Sequence, residues 1–356
     1  KKAELRKALL KNKSKIITDL DLFYMSNSRT RSIVVTGTNG KSTTCKIIEH
    51  VLKKNKINTS LGGNIGKPVL SLNLKKNPLI IIEASSFQLA YSKFVKPDYA
   101  LILNITNDHL DWHGSMKNYT ESKLKIFSLQ TKNNFAFVNN KNLLKKYKRK
   151  KYLAKLNFVD SQKYKRIKSR IKNNYLNSQA NEENISFVFA LSKVLKISEK
   201  SFLRSLKSFK GLPHRYEIFL KKNNKIFIND SKATSFQASK FALGSNKNIF
   251  WIVGGMPKLG DKLKLGKLKN NISNSYIIGN YMKNFKRQLN GKVDFKLSRT
   301  LNNAIISIFK DTKNITDKKI TILLSPASAS YDQFKNFEER GNQFKKLIKN
   351  YARKYS

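Results

Sequence analysis

The sequence predicts an α/β protein made of two sheet-and-helix units, the first carrying a mostly parallel sheet. Three observations predict it. Continuous apolar runs recur at Leu79-Ile80-Ile81-Ile82, Ala100-Leu101-Ile102-Leu103 and Phe135-Ala136-Phe137-Val138; such runs suit strands buried on both faces of a parallel sheet. Helically spaced apolar residues follow the first strand, at Thr44, Ile47, Ile48, Val51 and Leu52. Gly211-Leu212-Pro213-His214-Arg215 then breaks the pattern, and strand-and-turn segments begin again. At 356 residues the chain has room for two domains.

Taken in order, residues 1–28 do not make a domain. Ala3 to Leu10 reads as a short helix, and the rest of that stretch as the tail of something larger. We read the chain as a fragment or a processed form that lacks an N-terminal part. Residues 29–210 form the central unit. Its first strand, Ile33-Val34-Val35, runs into Thr36-Gly37-Thr38-Asn39-Gly40-Lys41-Ser42-Thr43. Glycines there let backbone N–H groups close on oxyanions, and a helix N-terminus adds its partial positive charge. Lys41 reaches outer phosphates, and Ser42 or Thr43 offers a hydroxyl to Mg²⁺. The general P-loop pattern wants glycine where Val35 stands, so only Gly37-x-x-Gly40-Lys41-Ser42 remains. An ordinary strand-to-helix turn would read the same way.

Two later strands end in polar groups, Glu83-Ala84-Ser85-Ser86 and Asn104-Ile105-Thr106-Asn107-Asp108-His109. Open α/β sheets do their chemistry just beyond the carboxyl ends of strands. This places Glu83 and His109 near the phosphate loop, Glu83 as a hard oxygen ligand for a metal. His109 and His113 have a spacing that would suit zinc only on a helix with a third ligand; with Gly114 next and no cysteine near, a His beside a nucleotide–Mg²⁺ site is the better reading. The helix expected over 118–130 carries Tyr119, Ile126 and Phe127 on one stripe, and Lys123 falls on it. The simplest reading in so lysine-rich a chain is a snorkelling side chain. The sharper one is a partly buried amine of lowered pKa, able to take up CO₂ as a carbamate.

Residues 139–181 are lysine-rich and weakly patterned, and we expect irregular structure or short strands. Helices follow at 182–195 and 198–209. Residues 211–356 form the second unit, which we expect to be a Rossmann-like α/β domain. Ile226-Phe227-Ile228 runs into Asn229-Asp230-Ser231-Lys232-Ala233-Thr234; another strand ends at Gly254-Gly255-Met256-Pro257-Lys258; Thr321 to Leu324 ends at Ser325-Pro326-Ala327-Ser328-Ala329-Ser330. A long helix from about Gln333 closes the chain.

Composition excludes some classes. No apolar run approaches the roughly 18 residues of a membrane span, and the lysine-rich start lacks a signal-peptide core. One cysteine, Cys45, excludes an internal disulfide and fits a reducing cytoplasm. The formal charge of +50 invites a nucleic-acid partner. Lysines spread over nearly every segment argue instead for a uniformly basic surface without a specific nucleic-acid face. We expect a monomer.

The motifs together resemble the Mur ligase superfamily of ATP-dependent amide-forming enzymes, within it the branch that adds D-glutamate to a muramoyl nucleotide. They are Thr36 to Thr43, Gly62-Gly63-Asn64-Ile65-Gly66, Glu83 to Leu89, Leu103 to Gly114, Gly211 to Arg215, Asn229 to Thr234, and Ser325 to Gly341. The shortened P-loop is this family's own form. The resemblance implies ATP and Mg²⁺ as cofactors, with UDP-N-acetylmuramoyl-L-alanine and D-glutamate as substrates. It implies that Gly37, Thr38, Asn39, Gly40, Lys41, Ser42 and Thr43 hold the ATP phosphates. Thr43, Glu83 and His109 would serve Mg²⁺, and Lys123 would be a carbamylated lysine at a second metal. Lys41, Lys123 and His109 are thus the implied catalytic residues. Arg215, Asn229 and Asp230 would reach ATP from the last domain, whose closure would bring the amino acid to the activated acid. Asn64 would face the muramoyl substrate, and Lys232, Thr234, Lys258, Ser330 and Phe337 the D-glutamate. The sequence departs from the family at Met256-Pro257, where Asp-Gly is common, at Asn107 for proline and at Trp112 for arginine. The family's N-terminal domain, which binds the uridine diphosphate, would be represented only by residues 1–28, so weak uridine nucleotide binding is expected. The alternatives are a folylpolyglutamate synthase-like ligase, against which residues 325–341 argue, and a non-catalytic ATP- or nucleic-acid-binding protein.

Overall fold

The structure is a computed structural model that describes residues 4, 8–9, 11–173, 175–176, 179–258 and 260–354. Its contacts divide the chain into one unit spanning Lys1–Lys210 and another spanning Gly211–Ser356.

In the first unit the strands are β1 (Ser32–Thr36), β2 (Thr59–Gly63), β3 (Leu79–Glu83), β4 (Tyr99–Ile102), β5 (Phe135–Val138) and β6 (Lys155–Phe158). They form one sheet in the order β2-β3-β1-β4-β5-β6, parallel throughout. Every residue of β1, β3 and β4 is buried, because Ile, Val and Leu fill both faces of the central strands. The chain leaves β1 toward one edge and later crosses to β4 on the other side. That reversal lies at the carboxyl end of β1 and is where such sheets hold ligands.

The described part of the first 28 residues packs into this unit. The helix Asp19–Ser26 starts at a capping box on Thr18, and Leu20, Phe23 and Tyr24 enter the core. The Asp21 carboxylate accepts from the Lys93 and Phe94 amides at 2.7 and 2.8 Å. The helix expected over residues 3–10 lies largely outside the described residues.

Two expectations need correction. Residues 139–181 hold one short strand, β6, as expected, but it is flanked by the unexpected helices Lys141–Arg149 and Ser161–Lys168. The first of these buries only Leu143 and Tyr147, too thin an apolar stripe to read through so many lysines. The helix expected over 118–130 runs Met116–Leu124 and tightens into a 3₁₀ turn at Lys125–Phe127.

In the second unit β7 (Glu217–Lys222), β8 (Lys225–Asn229), β9 (Ile249–Gly254), β10 (Ile272–Ile278), β11 (Phe295–Arg299) and β12 (Ile320–Leu324) order as β11-β10-β9-β12-β8-β7. Only the β7–β8 hairpin pairing is antiparallel. Alternate residues of one strand feed opposite cores: Phe250 and Ile252 on one face, Ile249, Trp251 and Val253 on the other. The closing helix is Phe337–Lys354, starting later than expected because residues 330–336 turn on the Ser330 carbonyl. Among the described residues no helix is long and apolar enough to cross a membrane.

Candidate functional site

The loop after β1 feeds the helix Lys41–Lys54 through Gly40, whose φ is 83°. A Cβ at Gly40 would lie 2.1 Å from Asn184 Oδ1, so both the left-handed turn and the close packing demand glycine. No side chain caps this helix, and an uncapped N-terminus suits oxyanions. Lys41 Nζ donates to the Gly37 and Thr38 carbonyls at 2.9 and 2.8 Å, which folds the amine over the loop. Thr43 is buried and Ser42 half-buried on the first turn.

The loop is braced from three directions. Asn104, just past β4, accepts from the Asn39 amide with its side chain (2.8 Å) and from the Thr38 amide with its carbonyl (2.8 Å). Its own amide donates to Glu183 Oε2 at 2.6 Å, and Asn139 donates to Glu183 Oε1 at 2.6 Å. Thr38 Oγ1 lies 3.0 Å from the Tyr119 hydroxyl. The sequence does not single out Glu183, and it offers Asn104 as part of a polar strand end and Tyr119 as part of an apolar stripe, neither as a brace of the loop. Their only signal is position after strands or on helices, since each contact spans many residues.

Lys123 is 1% exposed, which overturns the snorkelling reading. Its Nζ donates to the Gly37 carbonyl at 2.9 Å and lies 4.6 Å above the Tyr119 ring. Burial, with the like charge of Lys41 adding to it, pulls its pKa down to about 7. A large fraction is therefore neutral amine near pH 7, the form that reacts with CO₂.

Glu83 ends β3 beside Val35 of β1 and is 2% exposed. Its Oε1 accepts from Asn64 Nδ2 at 3.0 Å, while Oε2 is buried with no partner. An orphaned buried carboxylate oxygen is costly, and it is the donor a hard divalent cation would satisfy. His109 has a φ of 53° and opens the short helix Leu110–His113. Its ring sits 4.8 Å from Phe87 and 6.4 Å from Tyr119. His113 is turned away into the core, with Nε2 at 3.0 Å from Ser86 Oγ. Among the described residues no three His, Cys, Asp or Glu side chains gather into a metal-binding group.

The second unit sets its loops at the carboxyl ends of β8, β9 and β12, again around a reversal of strand order. Asn229 is fully buried, and its amide donates toward His214 Nδ1 (2.9 Å) and Glu217 Oε2 (3.2 Å). Asp230 accepts from the Tyr216 amide (3.0 Å) and the Ser325 hydroxyl (2.7 Å); burial pushes its pKa up to about 7. Both side chains are thus spent inside the unit. Arg215 stands between two left-handed residues, His214 and Tyr216. Lys232 Nζ lies 3.7 Å over the Phe337 ring, joining two expected site residues. The loop after β9 pairs with the loop after β12 through Met256 and Ala329, one residue from Ser330 and two from the exposed Lys258. Thr234 is half-buried before the helix Phe236–Gly244.

Arg340 was also missed. It is 1% exposed, and its guanidinium donates to Ser231 Oγ (3.0 Å), the Ser231 carbonyl (2.8 Å) and the Ser328 carbonyl (3.0 Å). Those bonds tie the β8 and β12 loops together. In the sequence it is one cation among 72.

A parallel sheet with a glycine loop opening a helix, a lysine over that loop and an unpaired carboxylate at the neighbouring strand end define a nucleotide-phosphate-binding α/β protein. Comparison narrows the class. The Mur ligase middle domain matches residues 35–201. A UDP-N-acetylmuramoylalanine–D-glutamate ligase of Rickettsia felis is 35% identical over 356 residues, covering 95% of this chain and 79% of the relative. The enzyme of the same name from a Wolbachia of Brugia malayi is 34% identical over 94% of this chain and 78% of its own length. The chain belongs to the Mur ligase family. In fold it is similar to the MurF ligase of Thermotoga maritima in complex with ADP, with a TM-score of 0.67 at 19% identity over 94% of this chain and 84% of that one. It is also similar to E. coli FolC in complex with ADP, with a TM-score of 0.63 at 16% identity and 98% coverage of both chains.

Proposed function

We propose that the chain is an ATP-dependent ligase that adds D-glutamate to UDP-N-acetylmuramoyl-L-alanine, in the cytoplasm, during synthesis of the peptidoglycan precursor. The substrate carboxylate attacks the γ-phosphorus of ATP and ADP departs, leaving an acyl phosphate. The amine of D-glutamate then attacks the acyl carbon, inorganic phosphate leaves, and the amine proton goes to solvent. Activation is needed because a carboxylate does not condense with an amine in water. Gly37 to Thr43 cradle the phosphates, and Lys41 swings from the loop carbonyls to neutralise the transferring group. Mg²⁺, when bound, supplies charge neutralisation, with Glu83, Thr43 and His109 as the residues that would hold it and carbamylated Lys123 as a further anionic ligand. Asn64, bonded to Glu83, faces the muramoyl acid. Lys232, Thr234, Lys258, Ser330 and Phe337 serve the D-glutamate, Lys258 as a carboxylate partner. Arg215, with Asn229 and Asp230 holding the turn that presents it, serves the nucleotide.

The observation that carries this reading is Lys123: an amine buried against the carbonyl of the phosphate loop. Phosphate release decides the matter. It should require ATP, the muramoyl nucleotide and D-glutamate together. Release driven by a folate substrate and L-glutamate instead would favour the FolC-like reading, and tight binding to random DNA with no ATPase activity would favour a binder.

A further inference from the structure

The basic charge is not evenly laid out. Residues 141–155 carry eight Lys and Arg and no acidic residue. The structure folds this run into the helix Lys141–Arg149, a turn through Lys151 (φ 51°) and the start of edge strand β6. Leu143 and Tyr147 hold the helix to the core. Lys145, Lys148 and Arg149 fall on the opposite side, all exposed. Among the described residues only Lys150 of this run forms an ion pair, with Glu121 at 2.6 Å.

Edge lysines protect a sheet from pairing with another, but that does not account for two bare leucines beside them. Leu153, between the helix and β6, is 59% exposed, and Leu129, just before β5, is 42% exposed. They share one end of the unit. Their neighbours touch: the Tyr152 hydroxyl bonds Ser128, and the Tyr152 and Phe127 rings lie 5.7 Å apart. That end is the amino pole of the sheet. The phosphate loop sits at the carboxyl pole, so a surface held at the amino pole leaves the nucleotide loop open.

We propose that the amino pole of the first unit, through Lys145, Lys148, Arg149 and Lys151 with Leu129 and Leu153, docks on an anionic lipid surface. Cations near such a surface are attracted by its negative potential, and aliphatic tips enter the acyl boundary. A nucleic acid would satisfy the cations but not the leucines, whose aliphatic side chains have no counterpart among phosphates. This holds whatever the substrate of the ligase.

The test is vesicle co-sedimentation of the 356-residue chain. Vesicles of phosphatidylcholine alone are compared with vesicles holding about a third phosphatidylglycerol, near physiological salt. The chain should bind only the anionic vesicles. Lys148→Glu/Arg149→Glu/Lys151→Glu should weaken binding by roughly 100-fold or more, since each cation near the surface contributes about a factor of five. Leu129→Ser/Leu153→Ser should weaken it by about 5- to 10-fold with the salt dependence unchanged. Thermal melts identify any variant that fails to fold, and the leucine pair then carries the test. Lys283→Glu/Lys286→Glu/Arg287→Glu, on an exposed helix of the second unit, is the control. The proposal falls if no vesicles bind, if the control weakens binding as much, or if duplex DNA binds more tightly than vesicles and ignores the leucines.

Discussion

In the first unit Glu83 ends β3 with one carboxylate oxygen buried and unpaired. In the second, Asp230 follows β8 with both oxygens occupied, by the Tyr216 amide and the Ser325 hydroxyl. The cations differ in the same way. Lys123 lies buried against a loop carbonyl and a ring, whereas Arg340 spends its donors on Ser231 and Ser328. The first unit leaves one buried carboxylate oxygen without a partner. The second uses charge to shape the loops that present Lys232 and Lys258. A buried polar group is read by its partners: Glu83 has an oxygen left over for a ligand, and Asp230 and Arg340 do not.

The largest expected effect breaks the first half of that contrast. Lys123→Ala should lower turnover by about 100- to 1000-fold, the scale of losing one preorganised electrostatic group. Bicarbonate should not restore it, and a small carboxylic acid should do so in part by standing in for the carbamate. Steady-state phosphate release reads both effects, and a variant with full rate would remove the carbamate from the account.

Next comes a pair of substitutions with opposite signs on stability. Glu83→Gln removes a buried charge that lacks a full set of partners, so the folded state should gain about 1 kcal/mol while activity falls steeply. Arg340→Met leaves the Ser231 and Ser328 carbonyls short of donors and should cost the second unit about 3 kcal/mol, with ATP affinity changed little. Urea unfolding with nucleotide calorimetry separates the two, and a shared sign would erase the difference between the two units.

The pH dependence sharpens the contrast further. Burial raises Asp230 to about 7 from an unfolded value near 3.9. Its contribution to stability is complete below about pH 4 and is lost as pH climbs through about 7. Burial and Lys41 lower Lys123 to about 7 from about 10.4 when unfolded. Its contribution is complete above about pH 10.4 and is lost as pH falls through about 7. Asp230→Asn should flatten the acid side of the stability profile and Lys123→Met the alkaline side. Melting curves from pH 4 to pH 10 follow each.

What could be read from the sequence follows the range of each interaction. The strands around β1 were legible because both their faces are apolar, and the phosphate loop because Gly37, Gly40 and Lys41 are neighbours in the chain. Glu83 was legible from strand-end position alone. Lys123 stands out by its place on an apolar stripe, but the sequence leaves a snorkelling and a partly buried amine both open, since the two look the same in a chain with 72 cations. The helices at 141–149 and 161–168 were hidden because few apolar residues anchor them. Arg340 and Glu183 were hidden because their partners lie far along the chain.

Glu183 gives the smallest effect and the finest test of the comparison. It is an acid that braces the edge of the phosphate loop, accepting from Asn104 and Asn139 at 2.6 Å each. Glutamine at this position keeps one acceptor and turns the other into a donor facing a donor. Asn104 would then hold the Asn39 amide less firmly, and the phosphate loop would be less preorganised. Glu183→Gln should raise KM for ATP by about 3- to 10-fold, the scale of one weakened hydrogen bond, with kcat nearly unchanged because no group touching the reacting atoms has moved. A fall in kcat with KM unchanged would instead put Glu183 in the chemistry.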